Sequence, residues 1–380
     1  MTNLFNHLTV RETTIRNRIG LSPMSMYDAD DGVAGSFSAI HFGARSLGGA
    51  GLVFTGTVAV APEGRITPGD PGLWADDQIP ALKAVADAIR VGGGTSGIQI
   101  GHAGRKASTT IPWRGGHPKS DGRSLTASEG AWETVGPSAI AYGSDKTHTP
   151  RAMTEREIRA AIDAFAATAR RADLAGFDVL EIHGAHGYLL HSFASPISNA
   201  RDDAWGGSFE NRIRLTLDVV RTVRAAWPAT KPLALRFAME DFHEGGWTAA
   251  EGLELARRAA ALGVDILDPM SFGGVAAGGQ APWAEPFTRD HATTLKSALP
   301  AAVIAGSAQT APGFNTDPAM VEALVAKGPF DLVLLGRQLL ADPHWPAKAA
   351  ATLSDDRLLL PSQYEHWLTG RIAPHQSQAA

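Results

Sequence analysis

The stretch Val179-Leu180-Glu181-Ile182-His183-Gly184-Ala185-His186-Gly187-Tyr188 decides how the chain reads. It opens on a short apolar run of the kind that fills a buried parallel strand. A long amphipathic pattern over 154–176 leads into it; two imidazoles three residues apart, and then a phenol, follow. Side chains suited to acid–base chemistry therefore emerge where a strand gives way to a loop. In a closed barrel of strand–helix units, that rim is where active sites are built. Taken alone, the His-x-x-His pair admits three readings: polar loop residues satisfied structurally, two metal ligands, or a catalytic pair. Zinc is the weakest, because the chain has no cysteine and no third ligand nearby at a familiar spacing.

Outward from this stretch the pattern repeats. Apolar strand candidates are Ile19–Met26, Leu52–Val60, Ser96–Ile100, Val179–Ile182, Leu233–Phe237, Asp265–Met270, Ala302–Gly306 and Leu332–Leu335. Helical patterns fall near 37–48, 78–92, 154–176, 208–227, 248–263, 287–299, 316–328 and 344–353. Strands that each precede a helix, eight times over, predict an α/β fold, a single (β/α)8 TIM barrel. An open doubly wound sheet is the alternative, but no Gly-x-Gly-x-x-Gly turn follows Ile19–Met26. Thr154 with Glu157, and Thr248 with Glu251, have capping-box spacing, and Ser208 is placed to cap the next helix. The Glu210-Asn211-Arg212 run is expected to orient the loop before it rather than to react.

One segment breaks the rhythm. Residues 107–152 leave the third strand, are rich in Gly, Ser, Thr and Pro, and are too long for an ordinary βα loop; a lid is expected. Residues 1–353 then form the barrel, and 354–380 a short tail.

Composition narrows the function. With 44% hydrophobic and 19% charged residues over 380 positions, and mean hydropathy near zero, the chain is an ordinary globular one. A net charge of −5 without a basic patch gives no footprint for nucleic acid. No apolar run reaches membrane-spanning length and Met1-Thr2-Asn3-Leu4-Phe5 lacks a signal-peptide pattern, so a cytoplasmic location is expected. Lack of cysteine excludes disulfides, thiolate metal sites and iron–sulfur clusters.

The ends of the last two strands suit a phosphate. Loops after strands seven and eight commonly form the phosphate site of such barrels. Here they carry Gly306-Ser307 and Gly336-Arg337. Glycine lets main-chain N–H groups approach an oxyanion, and arginine adds charge-assisted hydrogen bonds.

The flanks of the central stretch choose among the readings of the histidines. Phe193-Ala194-Ser195-Pro196, the spaced Asn199, Arg201 and Asp203, and Gly206-Gly207-Ser208-Phe209-Glu210-Asn211-Arg212-Ile213-Arg214 together resemble the signature of the Old Yellow Enzyme family of FMN-dependent ene-reductases. The resemblance runs over roughly residues 3 to 371. It implies an FMN cofactor lined by Pro23, Met24, Ser25 and Thr57, with Gln99 on the pyrimidine edge and Arg236 near N1 and O2. A fixed cation there favours reduced flavin, which is anionic around N1. It further implies that NADPH or NADH reduces the cofactor and that a small electron-poor alkene then takes up the hydride. His183 and His186 would polarise the substrate carbonyl, and Tyr188 would protonate the α-carbon. Tyr27, Trp283 and Trp367 are candidate pocket walls.

Pro23-Met24-Ser25-Met26-Tyr27 and the ending Gln363-Tyr364-Glu365-His366-Trp367 are similar to the thermophilic-like, xenobiotic-reductase-like subgroup, with Ser25 where that subgroup usually has cysteine. A homodimer or homotetramer, with the tail reaching a neighbour's site, follows only from the resemblance. Three other functions stay open at this point. One is a flavin-dependent dehydrogenase or demethylase on the same barrel, another a metal-dependent hydrolase or lyase using His183 and His186, and the third a flavin-binding protein with no turnover of its own.

Overall fold

The computed structural model describes residues 3–114, 123–143, 148–271, 286–307, 316–358 and 360–368. Eight parallel strands close into a barrel: β1 (Ile19–Leu21), β2 (Leu52–Ala59), β3 (Thr95–Gly101), β4 (Val179–Gly184), β5 (Leu233–Ala238), β6 (Ile266–Met270), β7 (Val303–Ser307) and β8 (Leu332–Leu335). Around them lie α1 (Ser36–Leu47), α2 (Ile79–Val91), α3 (Glu155–Leu174), α4 (Phe209–Ala226), α5 (Ala249–Ala261), α6 (Pro286–Ala298), α7 (Pro318–Ala326) and α8 (Trp345–Leu353). This is the expected (β/α)8 barrel.

Both faces of each strand are buried, which is why the strands read as nearly continuous apolar runs. Outward residues such as Leu180, Ile182 and Leu235 pack against helix faces that repeat at helical spacing, as Ile158, Ile162, Phe165, Ala169 and Ala172 do on α3. Inward residues Leu52, Phe54, Val179, Ala234, Ile266, Ala305, Leu332 and Leu334 fill the lower barrel. An N-terminal hairpin, Leu8–Val10 with Thr13–Ile15, adds Leu8, Val10 and Ile15 to that cluster and closes the floor. Thr154 and Thr248 form the expected capping boxes, and Ser208 accepts from Asn211 N.

The first strand is shorter than its apolar run. The ladder ends with Ser22 N donating to Leu335 O at 3.1 Å, and Pro23 has no N–H to extend it. The chain then crosses β2 at Gly56, where a Cβ would lie 2.5 Å from Met24 O, too close for any other residue. The described parts of 107–152 are tied down: Leu125 N donates to Ser108 O, Val135–Gly136 pairs with Arg151–Ala152, and Arg105 Nη1 donates to Ile140 O at 3.2 Å. Beyond α8, a short helix spans Ser362–Leu368. No helix among the described residues is long and apolar enough to cross a membrane.

Candidate active site

The site grows from the end of β4. His183 is the inward residue two positions above Glu181, and the chain turns sharply after Gly184. His186 and Gly187 both adopt positive φ, 58° and 74°. For a histidine, that conformation costs about 1–2 kcal/mol, so the turn must be held. A buried relay does so: Gly187 N–H donates to His191 Nδ1 at 2.9 Å, and His191 Nε2–H donates to Asp241 Oδ1 at 2.8 Å. Asp241 Oδ2 also accepts from Ser195 Oγ and from Trp247 N. Burial works to raise the Asp241 pKa, but His191, Ser195 and the Trp247 amide outweigh it and keep the carboxylate charged. On the other side of the turn, Lys106 Nζ donates to His186 O at 3.0 Å.

Hydrogen bonding also assigns the protons of His183 and His186. Ala185 N–H donates to His183 Nδ1, so a neutral His183 carries its proton on Nε2, which faces His186 Nδ1 at 3.2 Å. His186 then has Nε2–H left to donate. Burial, the charges of Arg236 and Lys106 and, for His186, the adjacent His183 hold both pKa values well below the usual imidazole range. Neutral donors result. The Tyr188 ring stands edge-on to His183, centroids 5.0 Å apart, and Lys106 Nζ lies 5.1 Å from the Tyr188 ring centre.

Below the rim a polar layer runs around the wall. Thr57 Oγ1 donates to Gln99 Oε1 at 2.5 Å, and Gln99 Nε2 donates to Glu181 Oε1 at 2.6 Å. Arg236 donates through Nε to Asp268 and through Nη2 to Asp268 and Ser22. Burial opposes the Arg236 charge, but Asp268 and Glu181 overcome it and raise its pKa. Its Nη1 has no hydrogen-bond partner among the described residues. A buried cation with one donor to spare suits the electron-rich edge of a flavin, so the residues present fit that group.

Pro23 is buried and Met24 half-buried, with Met24 Sδ 3.4 Å from where a Gly336 Cβ would stand, so the ends of β1 and β8 meet. The Ser25 hydroxyl acts on Asp70, whose pKa burial pushes up to about 7 against the pull of Thr67 and Ser25. At Gly306 a Cβ would strike the Phe330 ring at 2.2 Å, so glycine is required there for packing whatever its main chain binds. Ser307 is half-buried, Gly336 begins a short helix, and Arg337 is exposed. Tyr27 contacts Trp113, centroids 5.7 Å apart; Trp367 is 74% exposed, and Trp283 lies outside the described residues. Among the described residues no three His, Cys, Asp or Glu side chains gather as metal ligands.

Sequence reasoning missed Lys106, Glu181, His191, Asp241 and Asp268. The signal for Glu181 and Asp268 was present: a carboxylate inside an apolar strand is costly unless a cation answers it.

Against known proteins, residues 3–356 match the NADH:flavin oxidoreductase / NADH oxidase family. The chain belongs to this family. An NADPH dehydrogenase of Geobacillus sp. is 39% identical over 360 residues, covering 93% of this chain and 95% of that protein. Another from Halalkalibacterium halodurans is 37% identical, covering 96% and 99%. Among solved structures, a 2-naphthoyl-CoA reductase complex superposes with TM-score 0.79 at 26% identity; the match covers 94% of this chain and 53% of that longer one. Morphinone reductase with tetrahydroNAD gives TM-score 0.73 at 24% identity, covering 93% and 91%, and speaks to the fold alone. Family membership makes this chain an Old Yellow Enzyme relative, a flavin oxidoreductase that uses FMN and a reduced nicotinamide.

Proposed function

We propose that the protein is an NAD(P)H-driven ene-reductase acting on α,β-unsaturated carbonyl or nitro compounds. The observation that carries this is the β4 rim: two neutral imidazoles and a phenol converge there, with a cation behind them. Bound FMN supplies hydride, taken from the nicotinamide, to the β-carbon of the alkene. His186 donates its remaining Nε2–H to the substrate oxygen, and His183 joins it by turning its Nε2–H from His186 Nδ1 toward the same oxygen, so that both stabilise the negative charge that develops there. Being neutral, they polarise without surrendering a proton. Tyr188 gives the proton to the α-carbon as a general acid, and Lys106 beside its ring favours the negative charge left behind. Thr57, Gln99 and Arg236 would hold the ring end of FMN, and Pro23, Met24 and Ser25 would line it. Gly306, Ser307, Gly336 and Arg337 would hold its phosphate.

Residues 1–353 serve as the FMN-binding barrel in this reading, with 107–152 as a lid and Tyr27 and Trp283 as pocket walls. Trp367, exposed on its own chain, suits a neighbouring subunit's pocket in a homodimer or homotetramer. Removing residues from 362 onward is expected to change substrate preference and loosen the oligomer; a monomeric, kinetically normal truncation counts against this role. The function itself is tested by anaerobic assay of unsaturated ketones, aldehydes, maleimides and nitro compounds with NADPH and NADH. Consumption with enones supports it. Turnover confined to amines points instead to a dehydrogenase or demethylase.

A further inference from the structure

The barrel wall carries one more charge than is needed to hold Arg236. Glu181 on β4 and Asp268 on β6 are both buried and both face this cation on β5. Asp268 Oδ2 takes Arg236 Nε at 2.7 Å and Nη2 at 2.6 Å. Glu181 Oε1 stays 3.6 Å from Nε and accepts its close hydrogen bond from Gln99 Nε2, at 2.6 Å. One acid therefore fixes the guanidinium. A glutamine at 181 would serve Gln99 equally well, without the several kcal/mol that burying a second carboxylate costs.

We propose that Glu181 is a positioning residue for the flavin reaction: its carboxylate offsets part of the Arg236 charge and so sets how strongly the wall favours reduced, anionic cofactor. The inference rests on reading this rim as the flavin site. Burial pushes the Glu181 pKa up; Arg236 pulls against it, and Asp268 adds to the rise. The groups facing it are Gln99 from β3, with Thr57 of β2 behind, Arg236 from β5 and Asp268 from β6; His183 stands above on its own strand. Adding an electron pair beside Arg236 makes a second negative charge there less favourable, so reduction draws a proton onto Glu181.

Anaerobic midpoint potentials of the holoenzyme, Glu181→Gln and Glu181→Asp test this, with FMN occupancy read from visible absorption. Glu181→Gln removes the charge and keeps the shape. Its potential is expected to rise by the equivalent of about tenfold in the ratio of reduced to oxidised enzyme, about 30 mV for a two-electron couple. Glu181→Asp keeps the charge and is expected to recover most of that shift. A merely structural Glu181 would change FMN retention or thermal stability and leave the potential alone. That result, or equal shifts in both variants, overturns the proposal. The native holoenzyme gives a reading that needs no variant. With isotope-labelled glutamate, infrared difference spectra are expected to gain a protonated-carboxyl band on reduction, and its absence also overturns the proposal. Native protein without FMN would instead break the cofactor reading itself, and this inference with it.

Discussion

Along β3 to β6 the inner wall is closed on itself: Gln99, Glu181, Arg236 and Asp268 bond one another, and His183 and His186 meet just above. At β7 and β8 the counterpart is bare, with Gly306 and Gly336 contributing no side chain and Arg337 exposed. The first region is largely organised before any ligand arrives: its buried polar groups answer one another, leaving Arg236 Nη1 and Asp268 Oδ1 without a hydrogen-bond partner among the described residues. The second offers main chain and one mobile type of side chain, whose interaction gains come only when an anion is present. In the proposed function the first region would govern chemistry and potential, the second retention of the cofactor.

The sharpest way to break this division is Tyr188→Phe. Loss of a positioned acid is expected to slow reoxidation of the flavin by enones roughly 10²–10⁴-fold, while reduction by the nicotinamide persists. Stopped-flow measurement of the separate half-reactions checks it, and equal loss in both points to structural damage instead. Arg337→Ala probes the other region. Losing a charge-assisted hydrogen bond is expected to weaken FMN binding about 10–100-fold, with the midpoint potential unchanged. An FMN titration of apoprotein reads the first quantity, and undiminished affinity refutes the phosphate assignment.

His191→Phe tests whether the β4 turn depends on its relay. It orphans Gly187 N–H and Asp241 Oδ1, so unfolding in denaturant should show a loss of roughly 1–3 kcal/mol. No loss would mean that the turn holds itself. The smallest effect expected is that of pH. A depressed imidazole pKa keeps both histidines neutral through the ordinary titration near 6.5, so the ring NMR signals of His183 and His186 should stay flat from about pH 8 to about pH 6. A ring titration near 6.5 contradicts the proton assignment. The same shifts contribute stability above about pH 6.5 that is lost as the pH falls, since the unfolded chain takes up protons that the folded site refuses.

The strand–helix order was legible because every barrel strand is buried on both sides and every long helix on one, which writes each element into the apolar pattern. The early end of β1 was less so: its apolar run continues to Met26, and only the missing N–H of Pro23 marks the departure. In the site, His183, His186 and Tyr188 were visible because they sit together in sequence. Lys106 and Asp241 were not, because their roles depend on contacts 80 and 50 residues away that only the closed barrel creates; His191 bonds Gly187 only four residues off, but is held by that same distant Asp241. Gly306 shows the converse: the residue was legible, but its reason includes Phe330, which periodicity does not reveal.

In the proposed reaction the β4 rim receives an alkene and completes its reduction with a proton from the protein. The direct measurement is isotopic: reduce an enone in deuterated water with unlabelled NADPH and quench before the product enolises. Deuterium at the α-carbon, with product formed far more slowly by Tyr188→Phe than by the parent, is the predicted result. Product without deuterium at the α-carbon, or the same rate of product formation in Tyr188→Phe as in the parent, would contradict it.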